Sequence, residues 1–275
     1  MDEMTILAHP GASHQWEHGL ALMKGLKAHG IRATMPGDRS GNLKSKHVAC
    51  WGWRLGQRYR ERGHEVLVME RGYLGDRFRW TSLGWNGLNG RAIFPEVFDF
   101  SRFLKIIPRG LTPWKAGGEY ALLIGQVPGD ASLQGNDLRQ WYDDTSSDAG
   151  SLYGLPVRFR AHPQALERGY KFKVRGATSI GGSLADALAG AAVVITYNSN
   201  VGVDAAIAGC PVIAFEEGAM AYEVAGHVLG ERITPQRDRW AARLSWCQWT
   251  MAEIESGEAW EKVGRCAPSV MPEAA

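Results

Sequence analysis

Residues 193–197 form an apolar, β-branched run that stops at a small polar cluster, Asn198 and Ser199. An alanine-rich stretch of helical character follows, Gly209-Cys210-Pro211 ends it, and a second apolar run fills 212–215. Strand, polar loop, helix and strand in that order describe one parallel crossover unit of an α/β sheet. Ligands of such sheets bind at the carboxyl ends of the strands. Asn198 and Ser199 therefore stand where the next helix offers N–H groups to a phosphate or another anion. The same two residue types also serve as ordinary helix N-caps.

The chain has 275 residues, enough for one large α/β domain or two of moderate size. Hydrophobic residues make up 45% and charged residues 22%, the balance of a soluble globular protein. A formal charge of +2 gives no bulk electrostatic drive toward nucleic acid or membrane. It leaves only local basic patches, notably Arg54, Arg58, Arg60 and Arg62. The four cysteines, Cys50, Cys210, Cys247 and Cys266, have neither metal-ligand nor redox spacing, and Cys50 and Cys210 read as core residues. Acidic Asp2 and Glu3 precede only a short apolar run, so no secretory signal is read, and no stretch approaches the length of a membrane span. A cytoplasmic protein is the expectation. Eleven tryptophans, many beside Gly or Arg, suit an aromatic-lined cleft.

The first half alternates strands and helices. Strands are predicted at 4–8, 31–35, 48–53 and 65–70. A helix over 13–29 carries apolar Trp16, Leu20, Met23 and Leu26 at helical spacing, and a second ends near Arg62. Regularity fades between 71 and 118, where residues 108–118 read as a Pro/Gly linker. The second half repeats the theme, with strands at 120–125, 157–161, 193–197 and 212–215 and helices near 138–142 and 183–189. The expectation is an α/β protein of two Rossmann-like lobes with parallel sheets, residues 1–114 and 115–275. Trp240, Leu244, Cys247, Met251 and Ile254 recur at four- and three-residue steps. They predict one long helix over 239–255 that packs this stripe on the body.

Several segments, in order, resemble one family. Trp51-Gly52-Trp53 closes a strand, and Glu70-Arg71-Gly72-Tyr73 closes the next. Gly125-Gln126-Val127 continues into Asp130-Ala131-Ser132, His162-Pro163 follows a basic strand, and Asn198-Ser199 leads to Pro211-Val212. Over residues 48 to 216 this series is similar to the capsule polysaccharide synthesis family, which includes β-Kdo transferases. The resemblance implies a compact GT-B-like glycosyltransferase that takes a nucleotide-activated sugar, a CMP-sugar in the family, without a metal or a resident cofactor. The second residue of the family's acidic motif is a carboxylate usually given a catalytic role, and here it is Arg71. That leaves Glu70, or Asp76 beyond it, to take the role.

Glycosyl transfer needs a carboxylate near the acceptor hydroxyl and groups that stabilise charge on the leaving phosphate. Glu70 ends a strand and is the first candidate base; pairing with Arg71 or Arg77 is the structural alternative. His162 can donate to a phosphate oxygen or protonate a leaving group. Gln126, Asp130, Asn198, Ser199 and Glu216 are the donor-binding candidates, although Asp130 and Glu216 also suit plain turns. The loop His9-Pro10-Gly11 to His14 is an acceptor-side element. Asp143, Asp144 and Asp148 form an acidic segment that a divalent ion or solvent alone could face. Rival readings are a nucleotide-sugar 2-epimerase, a DNA-modifying sugar transferase, and a catalytically dead carbohydrate- or nucleic-acid-binding module on the same scaffold.

Overall fold

The computed structural model describes residues 1–36 and 43–268. The chain divides into two compact units, residues 1–107 with 241–275, and residues 108–240.

The first unit begins with β1 (Glu3–Leu7), α1 (Ser13–Ala28), β2 (Arg32–Thr34), β3 (His47–Trp51), α2 (Trp53–Arg60) and β4 (Glu65–Arg71). These apolar runs are buried along nearly their whole length, as strands covered on both faces require. β1 pairs with β2 and β3, and β3 with β4, all parallel. The region that reads as irregular in sequence holds two more elements, β5 (Thr81–Trp85) and α3 (Phe100–Ile106). β5 runs antiparallel to β4, so Gly72 and the turn after it carry the chain back along the same sheet. Gly84 and three aromatic residues among 78–85 hide the strand pattern there.

In α1 the buried face runs through His18, Gly19, Ala21, Leu22, Gly25 and Leu26. Of the apolar residues that set the helical pattern, Leu26 is buried, Trp16 and Met23 are half-buried, and Leu20 is 41% exposed. Small residues on the true face let another helix approach closely, since a Cβ at position 25 would stand 2.1 Å from the Ile254 carbonyl oxygen.

The second unit contains β6 (Tyr120–Ile124), α4 (Arg139–Tyr153), β7 (Val157–Arg160), α5 (Pro163–Glu167), β8 (Ala177–Ser179), α6 (Leu184–Gly190), β9 (Ala191–Thr196), α7 (Val201–Ile207) and β10 (Val212–Ala214). Its sheet has the order β10-β9-β6-β7-β8 and is parallel throughout. The acidic segment 143–148 is part of α4, not a loop; Asp143 accepts the Arg175 N–H at 2.7 Å. The predicted linker is docked on this unit. Arg237, almost fully buried, lies 3.8 Å from the Trp114 ring centre and donates to the Thr112 carbonyl at 2.6 Å.

After α8 (Asp238–Ser245) come β11 (Gln248–Trp249), α9 (Met251–Ser256) and α10 (Glu258–Val263). This corrects two expectations. The single long helix is broken, because Gln248 and Trp249 pair antiparallel with β5, and Thr250 with Glu253 forms a capping box that starts a new helix. Trp240, Leu244, Cys247 and Ile254 are nonetheless buried as predicted. Residues 241–275 also belong to the first unit, not to the second lobe.

The reason is a buried clasp. Arg102 on α3 makes two bonds to Glu253, 2.5 and 3.1 Å, and donates to the carbonyls of Ser245 and Gln248. Its guanidinium also lies over the rings of Trp246 and Trp249. Burial opposes ionisation of Glu253, but the Arg102 bonds and charge outweigh it and hold the carboxyl below its ordinary range.

Candidate functional site

A parallel sheet offers a crevice where successive connections leave in opposite directions. In the second unit β7 and β8 extend to one side of β6, and β9 and β10 to the other, so this point lies between β6 and β9. Gln126 follows β6 and Asn198 follows β9. They meet there in a reciprocal pair: Gln126 Nε2 donates to Asn198 Oδ1 at 2.7 Å, and the Asn198 N–H donates to Gln126 Oε1 at 3.0 Å. Asn198 Nδ2 donates to the Ser132 carbonyl and to Glu216 Oε2, both at 2.8 Å. The Gln126 N–H in turn donates to the Tyr142 hydroxyl, whose pKa burial pushes up to about 12.

Three predicted residues, Gln126, Asn198 and Glu216, therefore converge at one sheet edge, but with specific duties. Asn198 is 3% exposed and both its amide hydrogens are engaged, so it ties the loops after β6, β9 and β10 together. Asp130 accepts from the Ser132 N–H and hydroxyl, at 2.9 and 2.7 Å, and fixes the turn that presents the Ser132 carbonyl. The amides expected to be open at the start of α7 donate inside the loop instead. The Ser199 N–H bonds Thr196 Oγ1, the Val201 N–H bonds Ser199 Oγ, and the Gly202 N–H bonds the Ser199 carbonyl.

His162 follows β7 on the same edge as Ser199, with β6 between their strands. Neighbouring strands lie about 4.8 Å apart, so β7 and β9 are separated by roughly 10 Å. His162 caps α5, its Nδ1 accepting the Gln164 N–H at 3.1 Å. That bond puts the neutral ring's proton on Nε2, the tautomer that can donate to a phosphate oxygen.

The first sheet has its own reversal, between β1 and β3. Beyond these strand ends stand the His9 loop, the first turn of α1, and Trp51 with Gly52. The ring centres of His14 and His18 lie 5.1 and 4.7 Å from that of Trp51, both edge-on. His18 Nδ1 donates to the His14 carbonyl at 2.5 Å. Burial, aided by the nearby Arg71 charge, lowers its pKa. Glu70 is the penultimate residue of β4, beside this group. Gly52, at φ 87°, would place a Cβ 3.7 Å from Glu70 Oε1, so the carboxylate lies against the bare backbone of the β3 end. Asp76 is exposed, and its carboxylate accepts the Phe78 N–H at 3.1 Å within the following turn.

Arg71, where the family's acidic motif has a carboxylate, points its guanidinium over two rings, Trp51 at 5.3 Å and Phe78 at 4.8 Å. The turn beneath is held from behind: Gln248 Oε1 accepts from the N–H groups of Tyr73 and Leu74 at 2.6 and 2.9 Å. A Cβ at Gly72 would meet Trp80 at 2.5 Å, so the motif needs its glycine. His18 and Gln248 are the residues sequence reasoning missed, and it gave Trp51 a place in a motif but no duty. The spacing of His14 and His18, four apart at the start of the first helix, was a readable signal; nothing local marks Gln248.

No family model matches the chain, and no curated protein matches it in sequence. Solved structures do. The chain is similar to Thermosulfurimonas dismutans KpsC, β-Kdo 2,4-transferase, at 20% identity and TM-score 0.56, over 87% of this chain and 89% of that one. It is similar to the β-Kdo 2,7-transferase of KpsC from the same organism at 16% identity and TM-score 0.56, over 95% and 100%. The likeness is one of fold: an α/β protein with two parallel-rich sheets, as in these two transferases. Among the described residues no group of three His, Cys, Asp or Glu side chains is placed to hold a metal ion, and no helix is long and apolar enough to cross a membrane.

Proposed function

We propose that the protein is a glycosyltransferase that moves a sugar from a nucleotide-activated donor, CMP-linked by the family likeness, to an acceptor hydroxyl without a metal. The observation that carries this reading is the buried Gln126–Asn198–Glu216 network at the reversal point of the second sheet. The fold shared with the two transferases supports it. In this reading the second unit binds donor. The network holds the strand-end loops rigid, and Ser199 Oγ and His162 Nε2 meet the phosphate. The first unit presents the acceptor, with Glu70 as the base that takes the hydroxyl proton.

A thermal-shift screen of CMP-, UDP-, GDP- and TDP-sugars tests donor binding. A ligand at 100 times its dissociation constant stabilises a fold by about 2.7 kcal/mol. With the donor found and an acceptor that supports turnover, Glu70→Gln should cut turnover by about 10²–10⁴-fold and leave donor affinity almost unchanged. Full turnover in Glu70→Gln with collapse in Asp76→Asn would move the role to Asp76. Conversion of the donor sugar without any acceptor would replace the transferase reading by the epimerase one.

A further inference from the structure

A cation at a sheet's carboxyl edge usually has an acceptor to satisfy it. Among the described residues Arg71 has none: its contacts are the faces of Trp51 and Phe78. A guanidinium held over aromatic rings spends none of its five N–H groups on them, and its planar fork can make two parallel bonds to a carboxylate or phosphate. The residue is half-buried, so its field is less screened than that of a surface arginine.

Further observations point the same way. The site stands beside the strand reversal between β1 and β3, where a parallel sheet accommodates ligand. His14 and His18 pack edge-on against Trp51, so both rings border the same stack and report on what enters it. Arg79 follows Phe78 in the same turn, while the carboxylate of Asp76 is engaged with the Phe78 N–H. Phe78 itself is 78% exposed. An aromatic ring left in water while it covers an arginine serves the arginine more than the core.

We propose that this edge of the first unit is an anion subsite, in which Arg71, shelved between Trp51 and Phe78 and lined by His14 and His18, takes a carboxylate or phosphate group carried by the acceptor. The word acceptor rests on the transferase reading; the anion site does not. Arg71 thus replaces a reacting group of the family's motif with a binding group, and leaves Glu70 beside it as the carboxylate of the pair.

The test titrates the full chain with glucuronate, glucose 1-phosphate and glucose, following the ring signals of His14 and His18 by NMR and affinity by calorimetry. The anionic sugars should shift both rings, and glucose should not; which anion binds better separates carboxylate from phosphate. Arg71→Ala should weaken binding by about tenfold or more, and Arg71→Lys should restore only part of it, because the planar fork is lost. Phe78→Ala, at an exposed position, should weaken binding while the melting temperature holds, which keeps the test valid should Arg71→Ala fold poorly. Equal shifts with glucose, or undiminished anion binding in the Arg71 and Phe78 variants, would overturn the subsite. Ring shifts with anions but no stabilisation by any nucleotide sugar would keep the subsite and sink the transferase reading. The reverse pattern would do the opposite.

Discussion

The carboxyl edges of the two sheets are built on opposite principles. In the second unit the polar groups satisfy one another: Gln126, Asn198, Glu216 and the Ser132 carbonyl close a buried network at the β6–β9 reversal. In the first unit the edge is held from behind, by Gln248 under the Tyr73 turn and by the Arg102–Glu253 clasp, while Arg71 faces outward on its aromatic shelf. A polar group whose bonds are all internal acts as scaffold. A polar group fixed by packing, with its donors left over, is available to a ligand. Polar residues at corresponding strand ends thus differ in what they offer according to where their hydrogen bonds go.

The clasp is the largest test of that contrast. Removing one member of a buried ion pair leaves the other charge unsatisfied, at a cost of about 3–5 kcal/mol. Arg102→Met should therefore destabilise the first unit by about that amount in chemical denaturation. Hydrogen exchange should show β4, β5 and β11 losing protection before β6 and β9. Replacing Arg102 and Glu253 together by apolar residues should recover most of the loss. If Arg102→Met leaves exchange in β11 unchanged, the clasp is not what holds the first edge.

Much of this frame was legible in the sequence, and the failures have particular causes. Buried parallel strands such as β4, β6 and β9 read as unbroken apolar runs because both faces are covered. β5 did not, since Trp80, Gly84 and Trp85 break the pattern, and its partner β11 is two residues long. The stripe from Trp240 to Ile254 satisfies helical spacing, yet helix, short strand and helix bury the same side chains. The Thr250–Glu253 capping box marked that break and was the signal to weigh. Site residues were found because they stand at strand ends. Their duties were not, because the deciding bonds span 72 residues from Gln126 to Asn198 and 175 from Tyr73 to Gln248.

A smaller effect separates scaffold from ligand contact within the second edge. Asn198→Ala strands the Gln126 amide and a Glu216 oxygen in buried surroundings, which costs about 1–3 kcal/mol of stability. Ser199→Ala removes a hydroxyl whose one internal bond among the described residues is the 3.2 Å contact from the Val201 N–H. It should leave the melting temperature almost unchanged and weaken nucleotide binding by about 1 kcal/mol. The comparison breaks if Ser199→Ala melts the unit and Asn198→Ala does not.

The smallest effect expected is a pH dependence confined to the first unit. Burial, the largest influence, lowers the pKa of His18 from its ordinary 6.5, and the Arg71 charge adds to it against the bond to the His14 carbonyl and the Glu17 charge. Burial likewise lowers His47 on β3, with Lys46 acting in the same direction and Glu65 against it. A depressed histidine stays neutral in the fold after the unfolded chain has begun to take up its proton. Stability is therefore full above pH 6.5 and is lost as pH falls from there through the lower folded values. The amide pair of Gln126 and Asn198 in the second edge does not titrate at all. Acidification from pH 7 to 5 should thus weaken exchange protection in β1, β3 and β4 before β6 and β9, and His18→Gln should flatten part of that slope. NMR titration decides the cause: a His18 ring that gains its proton at or above pH 6.5 would remove it from the account and leave His47 alone to explain any acid loss.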